Sequence, residues 1–177
     1  MPFNSFVWML WSVKESVFKY QNRQYPDLLF SPRKIIIQSI DCPKYSYVTK
    51  FGTAQYEQDS LSVGGFFNCT AHVGSAILYS RSKIYEDLIF TVAGPDGKFE
   101  NISSGVKFMP NTGYEEQSKE VRSFVLNRLV SAFPGHDLTI KKSAIGYPVL
   151  LIGSQEMNVP LSFSHHGHFV AYSFVCG

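Results

Sequence analysis

Cysteine is scarce in this 177-residue chain: Cys42, Cys69 and Cys176 lie far apart and form no Cys-x-x-Cys pair. That spacing fits neither a disulfide framework nor a zinc knuckle, and it points to a reducing compartment. Charge is scarce as well. Charged residues make up 17% and the formal net charge is +2, which excludes a broad basic surface for nucleic-acid phosphates, so any anion site must be local. No apolar run approaches the ~18 residues of a membrane span, and Met1-Pro2-Phe3-Asn4 is no basic leader to an apolar stretch. A cytoplasmic protein without membrane contact is the expectation. Repeats and low-complexity tracts are missing too. What is plentiful is apolar and aromatic: 45% and 15%, with Phe 15 and Tyr 10, which excludes a disordered chain. The length suits one compact domain.

After Asn4 or Ser5, either of which can cap a helix, no Gly or Pro occurs until Pro26. A helix is expected over 7–20. Val7, Leu10 or Trp11, Lys14 and Val17 or Phe18 recur at helical spacing as a mostly apolar stripe that Lys14 interrupts. Trp8, Trp11, Glu15 and Lys19 form the adjacent stripe. Pro26 and Ser31-Pro32 punctuate the exit, and 34–40, rich in isoleucine, reads as a buried strand ended by Asp41-Cys42-Pro43. β signals continue to about Pro110: 45–51 alternates in part, Gly64-Gly65 interrupts, 66–79 is small and apolar, and 84–92 runs into Gly94-Pro95-Asp96-Gly97. A second helix is expected over 118–133, with Val121, Phe124, Val125, Leu129 and Ala132 on one face and Pro134-Gly135 as its stop. Strands return over 138–142, 149–152, 159–163 and 169–175. Helices do not alternate with strands, so the class is α+β, an antiparallel sheet packed against a few helices, in one domain over 1–177.

Two places gather titratable groups among apolar ones. In the first helix, Glu15 can offer carboxylate oxygen to a hard divalent cation, and Lys14 and Lys19 can meet phosphate oxygens. The plainer reading is a surface Glu–Lys pair one turn apart, worth about 0.3–0.5 kcal/mol. In the tail, Ser164-His165-His166-Gly167-His168 joins two strands. Three imidazoles so close can bind metal only if the chain bends, because successive strand residues point to opposite faces. One histidine acting on a phosphorylated ligand is the better functional reading.

The helix Trp11-Ser12-x-Lys14-Glu15-Ser16-x-x-Lys19, the later Gly146-x-Pro148, and Leu161-Ser162-Phe163-Ser164-His165 before a closing strand resemble the 4'-phosphopantetheinyl transferase superfamily, in the motif order of the holo-acyl-carrier-protein synthase type. The family's signature helix reads W/F-S-x-K-E-A/S-x-x-K, and its closing motif is an apolar strand ending in Ser-His. The resemblance covers roughly the first and last 40 residues. It implies a transferase-like fold and transfer of the phosphopantetheine arm of coenzyme A to a serine of an acyl or peptidyl carrier protein, as in fatty-acid biosynthesis. It further implies Glu15 as the Mg²⁺ ligand, with either Glu15 or a metal-bound water serving to take the serine proton, Lys14 and Lys19 as coenzyme A contacts with Lys19 also catalytic, and Ser164 with His165 near the nucleotide phosphates. An acidic carrier protein calls for cations beside the site, and Arg23, Arg33 and Lys34 follow the signature helix. Family members are trimeric or pseudo-dimeric, so a homo-oligomer is compatible.

Family members also carry a Gly-x-Asp-x-Val strand before the signature helix, and its aspartate is a metal ligand. This sequence starts almost at the helix; Asp41, Asp96 and Asp137 stand in other contexts. The expectation is a transferase domain lacking an N-terminal segment. The alternative is a catalytically impaired binding module of the same fold with an incomplete metal site. A metal-binding protein using His165, His166 and His168 is a third reading.

Overall fold

A computed structural model describes residues 1–44, 50–52, 55–57 and 65–175. In chain order the elements are helix α1 (Phe3–Gln24), a 3₁₀ turn Pro32–Lys34, strands β1 (Ile35–Asp41), β2 (Gln55–Glu57), β3 (Phe67–Val73), β4 (Ala76–Ile84) and β5 (Ile89–Gly94), a second 3₁₀ turn Phe99–Asn101, and β6 (Ile102–Phe108). Helix α2 (Tyr114–Ala132) follows, then β7 (Leu138–Lys142), β8 (Pro148–Ile152), β9 (Gln155–Met157), β10 (Leu161–His166) and β11 (Phe169–Val175). All described strand pairs are antiparallel, so the class is α+β as expected. The chain divides into two compact units, one formed by 1–52 with 61–99 and the other by 53–60 with 100–177.

The first unit is a four-stranded sheet in the order β1-β3-β4-β5 with α1 laid on one face. Met9, Val13 and Val17 of α1 are fully buried. Val13 and Val17 pack with Ile35, Cys69, Ala71 and Leu78, and Met9 packs with Phe67 and Ile84. Of the expected stripe, Val17 is buried and Leu10 packs at the core edge, whereas Val7 and Trp11 are exposed and Met9 and Val13 take the buried places beside Val17. Two apolar stripes run along this helix, and the one free of charge is the one the sheet covers. Nor does Asn4 or Ser5 cap the helix: both lie inside it, and Pro2 stands at the N-cap without a side-chain hydrogen bond.

β1 is an edge strand rather than a buried one, with Ile35 buried and Ile36 63% exposed, because only one of its faces meets the helix. The apolar stretch 66–79 is not one strand. Its chain reverses at Gly74-Ser75, where Gly74 takes φ +59°, and β3 pairs with β4 from Val73↔Ala76 outward. Similarly, 84–92 is broken by a turn in which the Tyr85 N–H donates to the Leu88 carbonyl. The strand expected over 45–51 falls largely outside the described residues.

The second unit has a four-stranded sheet ordered β10-β11-β6-β2 and a three-stranded one ordered β7-β8-β9. Its core joins Val121, Phe124, Val125 and Leu129 of α2 to Leu150 of β8, Leu161 of β10, and Val170, Tyr172 and Phe174 of β11. Those α2 positions are the ones its spacing predicts, although the helix begins at Tyr114 rather than 118. Ala132 is exposed. β10 begins at Leu161, and Val159 precedes it, packed against the core edge.

Candidate functional site

Helix α1 divides its circumference among several tasks. The stripe Met9, Val13, Val17 seats it on the sheet. Next to it, Ser12 Oγ donates to Thr91 Oγ1 at 2.9 Å, and Ser16 Oγ donates to the Thr91 carbonyl at 3.3 Å. Ser82 Oγ lies 2.8 Å from the same Thr91 hydroxyl, so β5 and β4 together fix the rotation of α1. On the far side of the helix the segment 25–34 returns along Trp11, Lys14, Phe18 and Asn22. The Asn22 side chain donates to the carbonyls of Pro26 and Leu28 at 3.2 and 3.1 Å. Phe30 packs on Trp11 and Phe18, with ring centroids 5.6 and 5.0 Å apart. Lys14 Nζ donates to the Pro32 carbonyl at 2.8 Å.

What remains toward solvent is the stripe Trp8, Glu15, Lys19. Lys19 Nζ stands 3.0 Å from Glu15 Oε1, and the two side chains are 36% and 45% exposed. A pair of this kind contributes only about 0.3–0.5 kcal/mol, so a phosphate for the ammonium or a cation for the carboxylate displaces it easily. Of the three charged signature residues, then, Glu15 and Lys19 are brought together and outward, whereas Lys14 is turned to the returning segment. Arg23 sits in the last turn of α1, where a cation complements the helix dipole. Arg33 and Lys34 are both exposed in the 3₁₀ turn.

Ser164 and His165 belong to the second unit, near the end of β10. Leu161, Phe163 and His165 share one face of the strand, and Ser164 and His166 share the other. The His165 ring meets Tyr114 at the start of α2 edge-on at 5.3 Å. His168 is the second residue of the turn to β11, where Gly167 takes φ +55°. Its Nδ1 lies 2.9 Å from the Met109 carbonyl and its ring stacks on Phe108. Gln117 Nε2 donates to the Gly167 carbonyl at 2.7 Å and ties α2 to this turn. The three imidazoles do not converge. Among the described residues no group of three or more His, Cys, Asp or Glu is placed to hold a metal ion.

The donor chemistry of Glu15 nonetheless suits magnesium. Mg²⁺ takes one or two protein carboxylates and fills the rest of its shell with water and substrate phosphate, and Glu15 offers a hard, exposed carboxylate. Sequence reasoning missed Thr91, Phe30 and Tyr114, each of which orients a signature residue. Only Ser12 and Ser16, polar and four apart on an apolar helix, hinted that something hydroxylic lay opposite. The chain matches no protein-family model, no curated protein and no solved structure.

Proposed function

We propose that this chain transfers 4'-phosphopantetheine from coenzyme A to a serine hydroxyl of an acyl or peptidyl carrier protein and releases 3',5'-adenosine bisphosphate. The observation that carries the reading is how α1 sorts its signature residues: Val13, Ser12 and Ser16 are spent on seating the helix, and Glu15 and Lys19 face outward as a weak pair. In the reaction, the serine oxygen forms a bond to the phosphorus that carries the pantetheine. The bond from that phosphorus to the bridging oxygen breaks, and the electrons leave with the adenosine bisphosphate. Glu15 accepts the serine proton, and Lys19 neutralises charge that builds on the phosphoryl oxygens. Magnesium held by Glu15 supplies further neutralisation when bound. Arg23, Arg33 and Lys34 are the assigned contacts for the acidic carrier.

The test is mass spectrometry of apo carrier proteins incubated with the chain, coenzyme A and Mg²⁺. Addition of the arm supports the reading, and unmodified carrier across fatty-acid and peptide-synthesis types refutes it. A second reading, a binding module of the same fold without catalysis, is favoured by the single carboxylate on the exposed stripe. It predicts retention of coenzyme A on the chain in calorimetry with no transfer in the same tube.

A further inference from the structure

We propose that Lys14 is a positioning residue: it clamps the segment 25–34 onto α1 and acts through Arg33 and Lys34 on the acidic carrier protein, without touching coenzyme A. The proposal rests on the transferase reading and deepens it by dividing the two signature lysines between two substrates.

Residues 11, 14, 18 and 22 recur three and four apart and so form one stripe of α1. Asn22 meets Pro26 and Leu28, Phe18 meets Phe30 and Lys14 meets Pro32, so these three, taken backward along the helix, meet the segment in forward order, while Trp11, one turn beyond Lys14, packs back on Phe30. The segment therefore runs antiparallel to α1, held at one end by an amide, in the middle by rings and at the other end by an ammonium. A segment with no strand beside it needs donors for its carbonyls, and that need explains a lysine between Trp11 and Phe18 and an asparagine at 22. Lys14 grips the first residue of the 3₁₀ turn whose next two residues are Arg33 and Lys34, both exposed. Without the clamp those cations lose their fixed place beside α1. The coenzyme A stripe of Glu15 and Lys19 is seated independently, through Ser12, Ser16 and the buried valines.

The experiment compares Lys14→Met, which keeps the stem and removes the donor, with Lys14→Arg, which keeps a donor. Lys14→Met is expected to raise the KM for carrier protein about fivefold, the effect of one hydrogen bond, with kcat and the KM for coenzyme A within about twofold of the parent. It should also speed tryptic cleavage after Arg33 and Lys34, and Lys14→Arg should restore both readouts. In a background already carrying Arg33→Ala and Lys34→Ala, Lys14→Met should add no further loss of carrier affinity. A rise in the KM for coenzyme A with the segment still protected from trypsin overturns the proposal and makes Lys14 a phosphate contact. If the parent chain transfers nothing, the transferase reading fails and the carrier role with it. Unchanged tryptic cleavage in Lys14→Met then separately refutes the clamp.

Discussion

The Ser12 hydroxyl on α1 donates to the Thr91 hydroxyl on β5, 79 residues away in sequence. This bond, with Ser16 on the Thr91 carbonyl and Ser82 on the Thr91 hydroxyl, sets which stripe of α1 faces solvent. Thr91→Val keeps the shape and leaves the Ser12 and Ser82 hydroxyls without this partner. It should destabilise the fold by about 1–3 kcal/mol, more than Ser12→Ala at about 0.5–1.5 kcal/mol, which removes one donor only. Urea unfolding of both variants checks the order, and Ser12→Ala costing more than Thr91→Val would contradict the shared-hydroxyl picture.

Gly105 on β6 sits directly opposite Tyr172 on β11. A Cβ at this position would stand 2.7 Å from Tyr172 Cε1 and 2.9 Å from Phe124 Cζ, inside contact distance of two rings packed edge-on at 4.8 Å. Gly105→Ala should therefore cost about 1–3 kcal/mol by overpacking, and Phe124→Leu in the same chain should recover part of it. Denaturant midpoints of the three variants decide; a neutral Gly105→Ala would mean the rings move freely.

Burial pushes the Cys69 thiol above its usual value of 9.0. The folded state thus binds the thiol proton more tightly than the unfolded state does. The associated stability is fully present below about pH 9 and is lost as pH rises through the raised folded value, since only the unfolded thiol ionises in between. Unfolding free energy should fall above pH 9 more steeply for the parent than for Cys69→Ala. Iodoacetamide mapped by mass spectrometry should label exposed Cys42 in the native protein and Cys69 only in denaturant.

Local pattern announced α2 well: Val121, Phe124, Val125 and Leu129 are apolar at helical spacing and all are buried. The same rule found only part of the buried face of α1, Val17 with Leu10 at its edge, because several stripes are apolar and only the partner sheet and the returning segment decide among them. Lys14 looked like a defect in a core stripe, and it is a donor to a carbonyl 18 residues on. The isoleucines of β1 read as a buried strand because composition does not reveal which faces are covered; Ile36 at 63% exposed follows from α1 covering one face of the sheet, a non-local fact. Among the candidate residues of the first unit, the pairing of Glu15 with Lys19 follows from their spacing alone; in the second unit, the setting of His165 against Tyr114 depends on how α2 lies over β10.

The most direct test of the central claim replaces the outward carboxylate while keeping its shape. With apo carrier protein, coenzyme A and Mg²⁺, Glu15→Gln should lower kcat for arm transfer by about 10²-fold or more, the usual contribution of a positioned acid–base group, and should leave the unfolding free energy within about 0.5 kcal/mol of the parent because the pair with Lys19 is exposed. Transfer by Glu15→Gln at the parent rate would contradict the assignment of this helix as the catalytic one.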